Sequence, residues 1–271
     1  MTGSTSKIGL RTISVNQDAI FYCIQRYSSN NKKLEKFKNV IIIHYDGNYQ
    51  SILDKIKNIN INSVIHLASY YNNFDNIKDI SKYLDVLKLG NYLLEIMILK
   101  KIRNLIYTSS YFQYENNGFK YLYATYKNIF LLLTQKYSKE NKITFTNFVI
   151  YDVYQKVGNK RQRLLKILKK LDTVNLPKKT DRYFLVHNHD IVNAISNQLI
   201  SKNKNKTYSL IYKNQKNTFG ELIYLIEKKL KRKLTIKWNS FNVSVKKPIL
   251  FSTPPKWKTE YNLNKIINEY Y

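Results

Sequence analysis

The sequence predicts an α/β fold, an open and doubly wound parallel sheet with a smaller C-terminal lobe, and three observations carry that expectation. Apolar runs of strand length alternate with longer segments of helical period, a glycine-bearing turn stands at the N-terminus, and the pattern loosens after about Tyr151. Alternation of this kind is what parallel strands joined by crossover helices require.

Taken in order, the strands fall at Ile20 to Gln25, Val40 to Tyr45, Ser63 to Ala68, Asn104 to Ser109 and Ile143 to Ile150. Between them Ile80, Leu84, Leu87, Leu94 and Ile98 mark one face of a long helix, and Lys127 to Tyr137 forms another with Ile129, Leu132 and Leu133 inward. Beyond Tyr151 come a basic helix from Arg161 to Leu171, a break at Pro177, a segment Tyr183 to Val186 leading into Asp190, a strand near Tyr208 to Tyr212 and a helix Phe219 to Leu230. The tail carries Pro254-Pro-Lys-Trp257 and then a short helix. A lobe closing over a cleft suits such a sheet, because ligands bind outside the strand C-termini.

Composition narrows the function. With 271 residues, 44% of them hydrophobic and 24% charged, the chain buries a proper core and is not disordered. One cysteine, Cys23, excludes an internal disulfide; with no long apolar run and no signal core, a soluble cytoplasmic protein without a membrane partner is expected. The net charge of +28 would attract any polyanion, but the excess is lysine spread along the whole chain, so no specific nucleic-acid partner is expected. The clusters at Lys160-Arg161-Gln-Arg163 and Lys228 to Lys233 sit on expected helices, where a solvated face is the simpler reading. Neither a Gly-x-Ser-x-Gly elbow nor a phosphate-binding lysine loop occurs, which removes the common hydrolase and P-loop readings. His187-Asn-His189 with Asp190 lacks further ligands nearby, so no metal is expected, and His66 in an apolar strand reads as a packed core residue.

Thr2-Gly-Ser-Thr-Ser-Lys-Ile-Gly9 has the outline of a dinucleotide-binding turn. Such a turn needs glycine for tight bending and close approach to a diphosphate held at a helix N-terminus. Gly3 and Gly9 are present and Ser6 takes the middle position, while the strand that should precede the turn is apparently missing. Arg26 closes the second strand of such a unit, where an arginine suits the 2′-phosphate of NADP; an exposed strand-end arginine is the alternative. Asp46 ends the next strand, facing an adenine or serving as a turn residue before Gly47.

Tyr123-Ala-Thr-Tyr-Lys127 follows the strand that ends in Thr108-Ser-Ser110, bringing a hydroxyl, a phenol and an ammonium within reach of one another. Tyr and Lys four apart share a helix face, and a lysine charge favours ionisation of a phenol whose pKa starts near 10. That is a proton-transfer device.

Val64-Ile-His-Leu-Ala68, Asn104-Leu-Ile-Tyr-Thr-Ser-Ser110 and Tyr123-Ala-Thr-Tyr-Lys127 resemble, in order and spacing, the extended short-chain dehydrogenases of the NAD-dependent epimerase/dehydratase family. So does the tail, Pro255-Lys-Trp257 followed by Tyr261-Asn-Leu263. Within that family, Ser110-Tyr-Phe-Gln113, Tyr121 to Lys127 and Ile150-Tyr-Asp-Val-Tyr154 are most similar to CDP-abequose and CDP-paratose synthases.

The resemblance implies a Rossmann-type NAD(P)-binding domain over residues 1–155 and a mostly substrate-binding lobe over 156–271, with segments returning to the first. It implies reduction of a 4-keto-deoxyhexose on a nucleotide for surface polysaccharide, such as lipopolysaccharide; of NADP and NAD, Arg26 slightly favours NADP. Epimerisation or dehydration with tightly held NAD, or a non-catalytic relative, are the alternatives.

By the same resemblance Tyr123 exchanges the proton on the sugar oxygen, Lys127 holds the nicotinamide ribose, and Ser110 hydrogen-bonds the reacting carbonyl. Asp85 stands where an asparagine supports the lysine, and Gly3, Ser6, Gly9, Arg26, Asp46 and Ala68 line the cofactor. Lys160 and Arg161 meet the substrate diphosphate, and a homodimer is expected by analogy. The departures are the absent first strand, Ser6 for glycine, Gln155-Lys156 for Gly-Pro after Tyr154, and no acidic residue at Asn128 to Phe130.

Overall fold

The computed structural model describes residues 1–72, 75–114, 121–154, 173–201, 205–211, 218–239 and 251–270. The expected basic helix Arg161–Leu171, with Lys160 and Arg161, lies outside the described residues.

Helix α1 (Lys7–Val15) precedes strand β1 (Phe21–Arg26), then β2 (Val40–Tyr45), α2 (Tyr49–Ile56), β3 (Ser63–His66), α3 (Ile80–Leu99), β4 (Asn104–Ser110), α4 (Leu122–Lys139) and β5 (Thr144–Ile150). After them come β6 (Asp152–Tyr154), β7 (Thr173–Leu176), β8 (Leu185–His187), α5 (Asn188–Leu199), β9 (Lys206–Ser209), α6 (Phe219–Leu230), β10 (Thr235–Trp238) and α7 (Leu263–Tyr270). Strand pairs are all parallel, in the order β1–β2 and β3–β4–β5–β9, with the smaller pairs β6–β8 and β7–β10. This is the parallel α/β architecture that the alternating pattern predicts, of the Rossmann type that the resemblance implies.

Between β1 and β3 run Met1 and Thr2. Ile24 N–H donates to Met1 O at 2.9 Å, Thr2 N–H to Ile65 O at 2.9 Å and Leu67 N–H to Thr2 O at 3.2 Å. Met1 and Thr2 therefore stitch β1 to β3 into one sheet with a two-residue central strand.

Helices cover both faces. On one, Ile52 and Ile56 of α2, Leu93 and Met97 of α3 and Leu131 of α4 pack on Val64 and Leu105; on the other, Ile13 of α1 and Ile191 and Ile195 of α5 pack on Ile106 and Phe148. Thus α5 and β9, late in the chain, return to the main sheet. A third core gathers Val174, Leu185, Leu222, Ile226, Leu263 and Ile266 from β7, β8, α6 and α7.

Two helix faces differ from the sequence expectation. In α3 the buried residues are Tyr83, Leu89, Gly90, Leu93, Leu94, Ile96 and Met97, and Leu84 is exposed. Ser81, Lys82, Asp85, Lys88 and Glu95 mark the exposed side of that helix, and Leu84 lies among them, while the opposite side packs on the sheet and α4. In α4, Phe130, Leu131, Thr134 and Ser138 face inward while Leu132 is 64% exposed and Ile129 37%. The inward Thr134 satisfies its hydroxyl on Phe130 O at 2.8 Å, so a polar residue sits in the core without an orphaned donor. Strand β3 stops at His66 rather than Ala68, because Leu67 and Ala68 turn toward the N-terminal loop, and β9 runs Lys206–Ser209, earlier than expected.

Candidate active site

The site gathers at the C-terminal ends of Met1–Thr2, β3 and β4. Gly3 has φ +68°, and a Cβ there would stand 2.7 Å from Ala68 N and from Leu67 C. Both a left-handed backbone and close strand approach therefore require glycine. A Cβ on Gly9 would lie 2.5 Å from Gly3 O, so the second glycine lets α1 settle on its own turn. Ser6 is the N-cap of α1 with φ −67°, and its Oγ accepts Gly9 N–H at 3.0 Å. Serine is thus no strain on the backbone here; it anchors the helix start.

Thr2 Oγ lies 2.8 Å from His66 Nδ1 and accepts Ala68 N–H at 3.3 Å, which fixes Ala68 beside the turn. His66 is buried and its pKa is lowered to about 3, first by desolvation and then by the Lys127 charge. It is a core residue packed on Phe130 at 4.9 Å between ring centroids, as its apolar strand suggests. Beneath the turn, Gln25 Nε2 donates to buried Ser4 Oγ at 2.5 Å.

Beyond the end of β4, Tyr123, the second residue of α4, is buried, and its ring meets Tyr71 edge-on at 4.9 Å. Lys127, one turn on, has Nζ 5.6 Å from the Tyr123 ring centroid and donates to Thr108 O at 2.6 Å. Tyr123, Lys127, Ala68, Tyr70 and Val86 line one small cavity of about 30 Å³. Ser110 ends β4, buried, with its N–H on Gln113 Oε1 at 3.0 Å. Gln113 Nε2 in turn reaches Asn128 Oδ1 at 3.2 Å, so the residue after Lys127 ties the Ser110 strand end to the Tyr123 helix. Replacing Gln113 with Leu strands a buried Ser110 N–H, for an expected loss of about 1–3 kcal/mol in urea unfolding.

Asp85 does not stand by Lys127. Its carboxylate lies 3.7 Å from Arg26, on the outer side of α3, and the neighbouring Val86 takes the wall position near Lys127. One residue along a helix is about 100° of rotation, enough to swap the two faces. Support for Lys127 comes from the Thr108 carbonyl instead. Arg26 and Asp85 are both about half exposed at the end of β1. Asp46 Oδ1 accepts Asn48 N–H at 2.8 Å, making it the turn residue before Gly47, and that bond holds its carboxyl below the usual range.

A loop clamp escaped sequence reading. Asp79 accepts from Tyr70 OH at 2.9 Å, Asn72 Nδ2 at 2.7 Å and Lys82 Nζ at 2.8 Å, pinning the segment after β3 whose Tyr71 touches Tyr123. An isolated acidic residue before a helix carries no period or motif that would reveal it.

Farther out, Asp190 is buried and accepts the N–H groups of Glu260 and Tyr261, while Trp257 Nε1 donates to Asp190 O at 2.8 Å. This latch holds the tail onto α5. His187 stacks on Tyr261 at 3.6 Å and burial lowers its pKa to about 4; His189 meets Glu260 at 3.1 Å and Arg11 at 2.5 Å. Among the described residues no group of three His, Cys, Asp or Glu is arranged to hold a metal, and no helix is long and apolar enough to cross a membrane.

His66 and His187 are held neutral in the folded chain, whereas a free histidine protonates near 6.5. Protons then bind the unfolded chain preferentially, so stability is full above about pH 6.5 and is lost as pH falls toward 4 and 3. His187 alone accounts for roughly 3 kcal/mol of this loss. Unfolding midpoints measured from pH 7 to 4 should fall, and His187→Phe, which keeps an aromatic ring against Tyr261, should flatten the decline.

A model of the NAD dependent epimerase/dehydratase family matches residues 1–210. The chain belongs to that family. Similar solved structures include UDP-N-acetylglucosamine 4-epimerase from Bacillus cereus, with TM-score 0.71 and 16% identity over 99% of this chain and 96% of that one. UDP-glucose 4-epimerase from Brucella ovis in complex with NAD gives 0.71 and 14%, over 99% and 95%. The Bordetella bronchiseptica enzyme WbmH in complex with NAD+ gives 0.73 and 14%, over 99% and 95%. No curated protein sequence matches it.

A nine-residue helix begins just after the Gly3 turn, Lys127 and Tyr123 stand together on α4, and Arg26 ends β1 beside Asp85; a helix start and two cations are groups of the kind that a dinucleotide's phosphates and hydroxyls bind.

Proposed function

We propose that the protein is an NAD(P)-dependent nucleotide-sugar oxidoreductase that reduces a 4-keto-deoxyhexose for surface polysaccharide, akin to CDP-abequose and CDP-paratose synthases. The observation that carries the reading is the placing of Lys127 Nζ against the Tyr123 ring, inside a fold shared with enzymes bound to NAD. A bound nicotinamide would supply the hydride. The side chains do the rest: Tyr123 OH donates the proton that the sugar oxygen needs, and Ser110 Oγ hydrogen-bonds the same oxygen. Lys127, anchored on Thr108 O, keeps two N–H donors for the phenol oxygen and a ribose hydroxyl.

In this reading residues 1–155 bind the cofactor and the later segments hold the sugar nucleotide, with Lys160 and Arg161 on its diphosphate. Arg26 favours NADP by meeting a 2′-phosphate once it leaves Asp85. A homodimer through α3 and α4 is supported by exposed Leu84, Ile129 and Leu132 on those paired helices.

The second reading is a 4-epimerase or dehydratase with tightly held NAD, favoured by the epimerases among its structural neighbours. A reductase must exchange its cofactor each cycle. The test is oxidation of NADPH by the full chain with CDP- or dTDP-4-keto-deoxyhexoses: stoichiometric oxidation supports the reductase, whereas protein isolated with bound NAD and silent toward NADPH supports the second reading.

A further inference from the structure

Directly after β4 the chain closes a short 3₁₀ turn, Tyr111–Tyr114, and its amide side chain faces inward: Gln113 is 2% exposed, while Tyr111, Phe112 and Tyr114 are half-buried. A buried amide without partners destabilises the chain that carries it, so its partners show what it is there to hold. Gln113 Oε1 accepts Ser110 N–H at 3.0 Å, its Nε2 donates to Asn128 Oδ1 at 3.2 Å, and its own carbonyl accepts from Asn128 Nδ2 at 3.5 Å.

Asn128 follows Lys127 on α4, and Lys127 Nζ donates to Thr108 O at 2.6 Å. Consecutive residues of the helix therefore hold the end of β4 at two points: Thr108 through Lys127, and Ser110 through Asn128 and Gln113. One contact leaves helix and strand free to pivot, whereas two fix the angle as well as the distance.

Inside the turn, Phe112 N–H donates to Ser110 Oγ at 3.4 Å. A serine hydroxyl carries one proton and two lone pairs, so an oxygen that accepts from this amide turns its proton away from it, toward another acceptor. Gln113 holds the turn in which the Phe112 amide lies, and the direction of the Ser110 proton depends on it.

We propose that Gln113 and Asn128 are positioning residues, which together set the Ser110 hydroxyl, as donor to the reacting carbonyl, at a fixed distance from the helix of Tyr123 and Lys127. The inference rests on the reductase reading above and adds to it two residues that touch neither sugar nor cofactor. A neutral amide pair suits the task, because it orients the strand end without placing a second charge beside Lys127. Leucine would fill the same space but could not transmit the geometry, and a misplacement of about 1 Å at a reacting group costs on the order of 100-fold in rate.

The experiment follows NADPH oxidation by the full chain with a CDP- or dTDP-4-keto-deoxyhexose for the wild type, Gln113→Leu, Asn128→Leu and Asn128→Asp, and for both leucine variants in a Ser110→Ala background. Each leucine variant should lower kcat about 10–100-fold with KM within about 3-fold. Asn128→Asp, whose carboxylate still accepts from Gln113 Nε2, should return to within about 3-fold of the wild type. In the Ser110→Ala background the leucine changes should cost less than about 3-fold, since the group they position is gone. Hydrogen exchange at the Ser110 amide should quicken at least about 10-fold in Gln113→Leu. If Gln113→Leu does not fold, the two Asn128 variants decide by the same comparison. Equal losses with and without the Ser110 hydroxyl, or no recovery in Asn128→Asp, overturn the proposal while the reductase reading stands. A wild-type chain that turns over no ketosugar overturns that reading and the proposal with it.

Discussion

Tyr123→Phe is expected to cut turnover by about 10²–10⁴-fold while leaving cofactor affinity and the fold unchanged. The phenyl ring keeps its edge contact with Tyr71 and its place under Lys127, so only the hydroxyl is lost. In the proposed reaction a proton must reach the sugar oxygen as hydride reaches carbon, and the Tyr123 phenol is the donor proposed for it. Lys127→Met should cost as much in kcat and also weaken cofactor binding, because it removes both the ribose donor and the bond to Thr108 O. Steady-state rates, with nicotinamide affinity by fluorescence quenching, separate the two variants. Wild-type rates in Tyr123→Phe would remove the phenol from the chemistry.

Gly3→Ala is the second large effect. The backbone is left-handed at φ +68°, and the new methyl would meet backbone atoms of Leu67 and Ala68 at 2.7 Å. Neither neighbour is the far end of a flexible side chain, so the N-terminal turn must move away from β3 as a unit. Strain and overpacking together suggest a loss of about 2–4 kcal/mol, with Thr2 pulled from its bonds to Ile65, Leu67 and Ala68. Because the turn also starts α1, cofactor affinity should fall at least about 10-fold in the same variant. Urea unfolding and calorimetric titration of NAD and NADP check both. A Ser6→Gly control should cost much less, since Ser6 contributes one helix cap at ordinary φ.

The sheet was legible because β1, β2, β4 and β5 are short apolar runs bounded by turn residues, and helix Phe219–Leu230 announces itself with Thr218 as N-cap and Glu221 in its first turn. What apolar period alone missed was the rotation of α3 and α4. Each carries apolar residues on more than one side, and Thr134 shows that an inward residue can be polar when its own helix accepts its proton. The position of Asp85 came from the resemblance alone, and the structure sets that side chain beside Arg26. The turn from Thr2 to Gly9 was visible in the sequence. That Met1 and Thr2 bridge β1 and β3 was not, since pairing between distant segments leaves no local mark.

Hydride transfer at the sugar carbon, coupled to the Tyr123 proton, is the centre of the account. The most direct measurement uses NADPH carrying two deuteriums at nicotinamide carbon 4, so that either face delivers label, with a nucleotide-linked 4-keto-deoxyhexose and mass spectrometry of the sugar. One deuterium per product sugar is expected with the wild-type chain, and Tyr123→Phe should yield about 10²–10⁴-fold less labelled sugar in the same time. Sugar converted by the wild-type chain but recovered without label would contradict the account.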